Sequence, residues 1–284
     1  MMSDMLRDLS GDTALFSLNT ATVRERWDLA EIIDGCVRHN ISSITPWRDQ
    51  VAKCGLGEAA IRIQDAGLAV TSLCRGGYFP AANAEGRQTA IDDNRRAIDE
   101  AATLGAACLV LVVGGLPDGT KDIEDARSQV FDGMSAIMEH ARACQIPLAI
   151  EPLHPMYAAD RACVNTMRQA LDLCDELGEG IGIVADVYHI WWDPELADQI
   201  ARAGNDNRLL VFHVCDWLVP TNHLFLDRGM MGDGIIELKK IRAMMETAGY
   251  RGSCEVEIFS ADDWWKRDPD EVLRTCIERH QSVV

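Results

Sequence analysis

The chain has 284 residues, 48% hydrophobic and 25% charged, which is enough apolar material for a sizeable core without disulfide or metal staples. Asp and Glu number 45 against 27 Lys and Arg; the formal charge of −18 disfavours nucleic acid and anionic membrane as partners, because the protein's own field repels phosphate. The ten cysteines fall singly, with no CxxC pair, and several sit inside apolar runs such as ACLVLVV around Cys108, so they read as small buried hydrophobes in a reducing cytosol.

At the start, MMSDMLRDLSGD has no basic segment leading into an apolar one, so a cytoplasmic protein without a secretory leader is expected. No later stretch reaches the roughly 20 apolar residues that cross a bilayer. Short apolar, β-branched runs then recur at residues 14–20, 42–46, 69–74, 107–113, 147–152, 182–187, 209–214 and 253–259. Most are continuous rather than alternating, as parallel strands buried on both faces should be. Segments of helical spacing separate them. One carries Ile123, Val130, Met134, Ile137, Met138 and Ala141; another carries Ala170, Leu171, Cys174 and Leu177, with Gly178 as a left-handed cap. Pro194 and Asp268-Pro269 mark helix starts. Strand–helix units of this length predict an α/β fold, a (β/α)8 TIM barrel with residues 1–284 as one domain. An open doubly wound sheet would call for a GxGxxG turn after the first strand, and none is present. The longest irregular stretches, 76–86 and 114–122, follow strands directly and should overhang the C-terminal rim.

The last four strands end in chemistry. AIEP places Glu151, IVADVYH places Asp186 and His189, VFHVCD places His213, and EVEIF places Glu255 and Glu257. A charged group closing an apolar strand is costly unless paired or ligated. Consecutive strands would bring these together at one rim, where three carboxylates repel one another unless a cation joins them. One divalent metal ion held by Glu151, Asp186, His213 and Glu257 is therefore expected. Oxygen donors plus one imidazole suit Mn²⁺ first, with Mg²⁺, Co²⁺ or Zn²⁺ as alternatives. Glu257 is preferred over Glu255 because it stands nearer the strand end, with Glu255 deeper in the barrel.

This set resembles the sugar phosphate isomerase/epimerase family of the xylose-isomerase-like TIM barrel superfamily, which includes ketose 3-epimerases, inosose dehydratases and hydroxypyruvate isomerases. The segment DRGMMGDGIIELKKI is similar to the family's loop between strands seven and eight. The resemblance implies α-proton transfer next to a carbonyl through a metal-stabilised enediolate. Glu151 and Glu257 match the family's proton-shuttling carboxylates, and His189 matches its DxxH histidine, which contacts substrate. The family's arginine six residues beyond the strand-seven histidine is here Val219, and its second glutamate falls near Tyr157, so the chain departs from the free-ketose epimerases. His154, Arg161, Trp47, Arg75, Trp217 and Arg228 are the candidate substrate contacts, the tryptophans because indole packs on the C–H faces of sugars. Related barrels pair through rim loops, so a homodimer or homotetramer is expected, or assembly with a partner subunit.

A lyase uses the same enolate chemistry. It would eliminate from or deglycosylate a 3-keto-glycoside or inosose, or decarboxylate a keto sugar acid whose carboxylate Arg161 or Arg75 would hold. A DNA-repair endonuclease of the superfamily needs further histidines on earlier strands, and here strands three and four end CRGG and VVGG. Phosphorylated substrates are left open, since Gly76-Gly77 and Gly114-Gly115 are weak phosphate cradles.

Overall fold

The computed structural model describes residues 6–11 and 13–284, so part of the segment read for a leader lies outside the described residues. Among the described residues eleven strands are seen: β1 Phe16–Asn19, β2 Ser43–Thr45, β3 Ala69–Val70, β4 Leu73–Gly77, β5 Leu109–Val112, β6 Leu148–Ile150, β7 Ile181–Asp186, β8 Leu209–Val214, β9 Asp216–Trp217, β10 Arg228–Gly229 and β11 Cys254–Val256. The helices are α1 Leu29–Arg38, α2 Arg48–Cys54, α3 Leu56–Asp65, α4 Ala84–Leu104, α5 Ile123–Ala143, α6 Met167–Leu177, α7 Val187–Ile190, α8 Leu196–Asn205, α9 Leu238–Thr247 and α10 Pro269–Val283.

Every expected strand run forms a strand, and all are parallel in the order β3-β2-β1-β11-β8-β7-β6-β5-β4. The two ends of this list are halves of the third barrel strand, broken at Thr71-Ser72. β3 pairs with β2 and β4 with β5, and this shared strand closes the sheet into a (β/α)8 barrel. The break has a polar cause. Thr71 Oγ1 meets the Ser17 and Thr45 hydroxyls at 2.8 and 2.9 Å, and Ser72 Oγ donates to Glu255 Oε2 at 3.0 Å. One side of the barrel interior is thus hydrogen-bonded, where continuous apolar runs had suggested hydrocarbon. The other side is filled by Cys108, Val110, Ala149, Val184 and Val211.

The helices bury their apolar stripes on the outside of the strands. In α5, Val130, Met134, Ile137, Met138 and Ala141 are buried, as the spacing required. Side-chain caps fix the starts: Asp28 and Glu31 form a capping box on α1, and Asp268 accepts from the Glu271 N–H with Pro269 in the first turn of α10. α8 begins just beyond Pro194, at Leu196. Gly178 does end α6, but with φ +85° and ψ −134° it is extended rather than left-handed helical, a conformation open to glycine alone. No helix among the described residues is long and apolar enough to cross a membrane.

Gly76 and Gly77 bind no cradle-shaped space. The Gly77 N–H donates to Asn94 Oδ1 at 2.6 Å, its carbonyl accepts from Asn94 Nδ2, and a Cβ there would lie 1.9 Å from the Val112 carbonyl oxygen. At φ +110°, Gly77→Ala should destabilise the fold by more than about 2 kcal/mol, read as a lower urea midpoint. His280 of α10 is buried against Phe16, and burial holds its imidazole down to about 4 from an ordinary 6.5. The unfolded chain therefore takes up a proton near pH 6.5 that the folded chain refuses until about pH 4. Stability is full above this window and falls as pH drops through it, by roughly 1.4 kcal/mol per unit. His280→Phe should flatten that slope in urea titrations between pH 7 and 5.

Candidate metal centre

Strand ends deliver the site. Glu151 follows β6, Asp186 ends β7, His213 lies one residue from the end of β8, and Glu257 follows β11. All four are buried, and one donor atom from each lies within 4.8 Å of the others. His213 Nδ1 faces the carboxylates, 3.1 Å from Glu151 Oε1, 3.7 Å from Glu257 Oε2 and 3.8 Å from Asp186 Oδ2. Its Nε2 is 3.1 Å from Glu255 Oε2, and Glu255 also accepts from Thr45 and Ser72. Glu255 thus lies deeper in the barrel and orients the imidazole, the arrangement by which carboxylates hold metal-ligating histidines. Buried oxygens and one oriented imidazole nitrogen, with no lysine among them, fit a divalent ion.

Electrostatics separate the members. Burial works to lower the His213 pKa, but Glu257, Asp186, Glu151 and Glu255 around it hold it well above 6.5. Asp186 is held well below the usual carboxylate range: Arg228, His189 and His213 outweigh its burial. Glu257 goes the other way, pushed up to about 7 by burial, with Glu151 and Asp186 adding to it against His213 and Arg228.

Arg228, expected as a substrate contact, is buried inside the cluster. Its Nη1 donates to Asp186 Oδ2 and Glu257 Oε2, both at 3.0 Å, and its plane lies over Tyr188 and Phe259. It reaches there from β10, which is antiparallel to β9. The DRGMMGDG segment is folded around Asp216, whose carboxylate accepts N–H groups from Gly232, Gly234 and Ile236. His189 faces an N–H donor at each ring nitrogen, the His154 backbone N–H at Nδ1 and Arg228 Nη2 at Nε2, both at 3.2 Å, and its Nε2 lies 3.7 Å from Asp186 Oδ2. Burial holds this imidazole down to about 3, so it is neutral near pH 7.

Above the cluster is a cavity of about 20 Å³, room for one water, walled by Trp47, Arg75, Tyr157, Arg161, Phe225 and Phe259. Residues 218–227 close it: the Leu224 carbonyl accepts the Tyr157 and Tyr188 hydroxyls at 2.5 and 2.8 Å, and Phe225 stacks on Phe259. Trp47 also donates from Nε1 to Asn19 Oδ1, and Asn19 Nδ2 donates to Glu257 Oε1 at 2.9 Å. His154 and Trp217 stand beside this wall rather than on it, their rings stacked on each other 5.1 Å apart. Of the other rim aromatics, Phe79 is buried away from the mouth, packed over Gly133 of α5. Asn19, Phe225 and Phe259 escaped the sequence reading; an Asn closing the first strand, FSLN, was the available signal for one of them.

A family model for the xylose isomerase-like TIM barrel matches residues 27–276. The chain belongs to that family. Protein SMc04130 from Sinorhizobium meliloti 1021 is 61% identical with a TM-score of 0.95, covering 96% of this chain and 99% of that one. A structure described as IolI protein with a binding zinc atom superposes with a TM-score of 0.81 at 19% identity, over 95% of this chain and 97% of that one, a likeness of fold. The inosose isomerase of Halalkalibacterium halodurans is 24% identical over 155 residues, 53% of this chain and 52% of that protein, so the match spans about half of the relative.

Glu255→Gln removes the carboxylate that orients His213 while leaving the four facing groups. Affinity for Mn²⁺ or Zn²⁺, measured by calorimetry, should fall about 10- to 100-fold with the circular dichroism spectrum unchanged.

Proposed function

We propose that this protein is a divalent-metal-dependent sugar isomerase or epimerase that moves a proton on a carbon next to a carbonyl. The observation that carries the reading is the buried Glu151–Asp186–His213–Glu257 cluster, open to a walled cavity at the C-terminal ends of the strands. The zinc-bound IolI neighbour and the inosose isomerase relative support a metal and a polyol-derived ketone. The four cluster residues would hold the ion, Mn²⁺ by preference. A bound ion would supply the Lewis acidity that draws charge from the substrate's carbonyl.

The chain's own residues do the rest. Glu257 and Glu151 flank the place where an α-carbon would sit, one to take its proton and the other to return one. Burial sets the Glu257 carboxyl near 7, where accepting and releasing a proton cost similar amounts. Asn19 and Trp47 hold Glu257 in line. Neutral His189 lines the cavity, where it would contact a substrate oxygen. Arg228, spanning Asp186 and Glu257, would trade part of that pairing for ion and substrate. The room for one water requires residues 218–227 to lift for entry, and their closure afterwards excludes solvent from the carbanionic state. Elimination is the second reading, favoured by the Glu257 carboxyl, which is pushed up to about 7 and would return its proton to a departing alkoxide or hydroxide.

The test is proton NMR in D2O of Mn²⁺-loaded protein with ketoses, keto acids, 3-keto-glycosides and inososes. Deuterium should enter next to the carbonyl, and Glu257→Gln should slow that entry about a hundredfold or more. An unsaturated product would select the lyase. Exchange that persists after metal removal would sink the mechanism.

A further inference from the structure

Arginines in this acidic chain are mostly matched. Arg48 holds Asp93 and Glu100, Arg202 holds Asp172 and Asp175, and Arg228 holds Asp186 and Glu257. Arg75 and Arg161 are different. Both are half-buried on the wall of the cavity above the metal cluster, and neither side chain has a hydrogen bond or ion pair among the described residues. The Arg75 Nε is buried without a partner. Both guanidiniums are instead fixed by their faces: Arg75 lies 4.3 Å over Tyr78 and 6.0 Å from Trp47, and Arg161 lies 4.0 Å over Phe225 and 5.7 Å from Tyr157. Stacking uses the π face of a guanidinium and leaves its N–H edge free, where a planar or tetrahedral oxyanion binds best.

We propose that Arg75 and Arg161 form an anion subsite, so that the substrate is a hydroxyketone bearing a carboxylate or a phosphate at the end remote from the metal. The proposal rests on the isomerase reading of the same cavity. Two like charges in one small recess repel, and burial and Arg161 both work to weaken the Arg75 charge. Arg75 comes from β4 and Arg161 from the loop after β6, so the pair spans two barrel strands, as a clamp on one group must. Phe225 belongs to the segment that closes the cavity, and Arg161 stacked on it links anion capture to closure.

The experiment compares three hydroxyketones on Mn²⁺-loaded protein: dihydroxyacetone, which is neutral; 5-hydroxy-4-oxopentanoate, whose carboxylate stands away from the ketone; and dihydroxyacetone phosphate. Calorimetry should show one of the anions binding at least about tenfold tighter than dihydroxyacetone, and which one identifies the group. The advantage should shrink in high salt and vanish in Arg75→Gln and in Arg161→Gln, with circular dichroism and Mn²⁺ content unchanged and dihydroxyacetone binding retained. An advantage that survives unchanged in both variants belongs to the metal ion and overturns the subsite; Arg75→Met and Arg161→Met, which keep the side-chain length, serve where a Gln variant fails to fold. Equal binding of all three ligands, or no binding of either anion, overturns the subsite. Deuterium exchange on the same three ligands separates the two ideas: exchange without anion preference leaves the isomerase reading and removes the subsite, while anion preference without exchange does the reverse.

Discussion

The structure is organised around one electrostatic problem. Glu151, Asp186, Glu255 and Glu257 are all buried within reach of a single imidazole, His213. Buried like charges are unstable without opposing charge and hydrogen-bond donors. Much of the surrounding barrel consists of those donors. Thr45 and Ser72 serve Glu255 from below, Asn19 serves Glu257 from the side, and Arg228 crosses the mouth between Asp186 and Glu257. Even the break in the third strand belongs to this arrangement, because it brings Thr71 and Ser72 into the hydroxyl floor beneath Glu255.

The same constraint explains the division of labour among the carboxylates. Asp186, gripped by Arg228, stays charged, while Glu257, equally buried but crowded by Glu151 and Asp186, is held near neutrality in its affinity for a proton. Glu255 takes no part in facing the cavity; its contribution is to fix which nitrogen of His213 the cluster meets.

Above the cluster the chemistry changes from charge to aromatic surface. Trp47, Tyr157, Phe225 and Phe259 wall a space with room for one water, and the segment carrying Phe225 is latched by two tyrosine hydroxyls on one carbonyl. Such a latch is weak enough to open for a ligand, since each hydrogen bond contributes only about 1 kcal/mol net.

Strand positions and the four convergent side chains were legible in the sequence. Each strand is a contiguous apolar run, and a carboxylate or imidazole at its end stands out against hydrocarbon whatever the rest of the chain does. The family likeness was legible for the same reason, since it is carried by those strand ends. Three things were decided only by tertiary structure. The partition of Glu255 from Glu257 depends on barrel depth, and two residues of one strand that share a face look alike in sequence. The place of Arg228 depends on the β9–β10 ribbon, which folds back a loop whose own sequence does not say how far its arginine will reach. The cavity wall depends on contacts between segments far apart in the chain, which brought in Phe225 and Phe259 and left His154 and Trp217 beside it. Local periodicity fixes which face of an element is buried; which loop side chains meet over a site is set by long-range packing, to which no local pattern gives access.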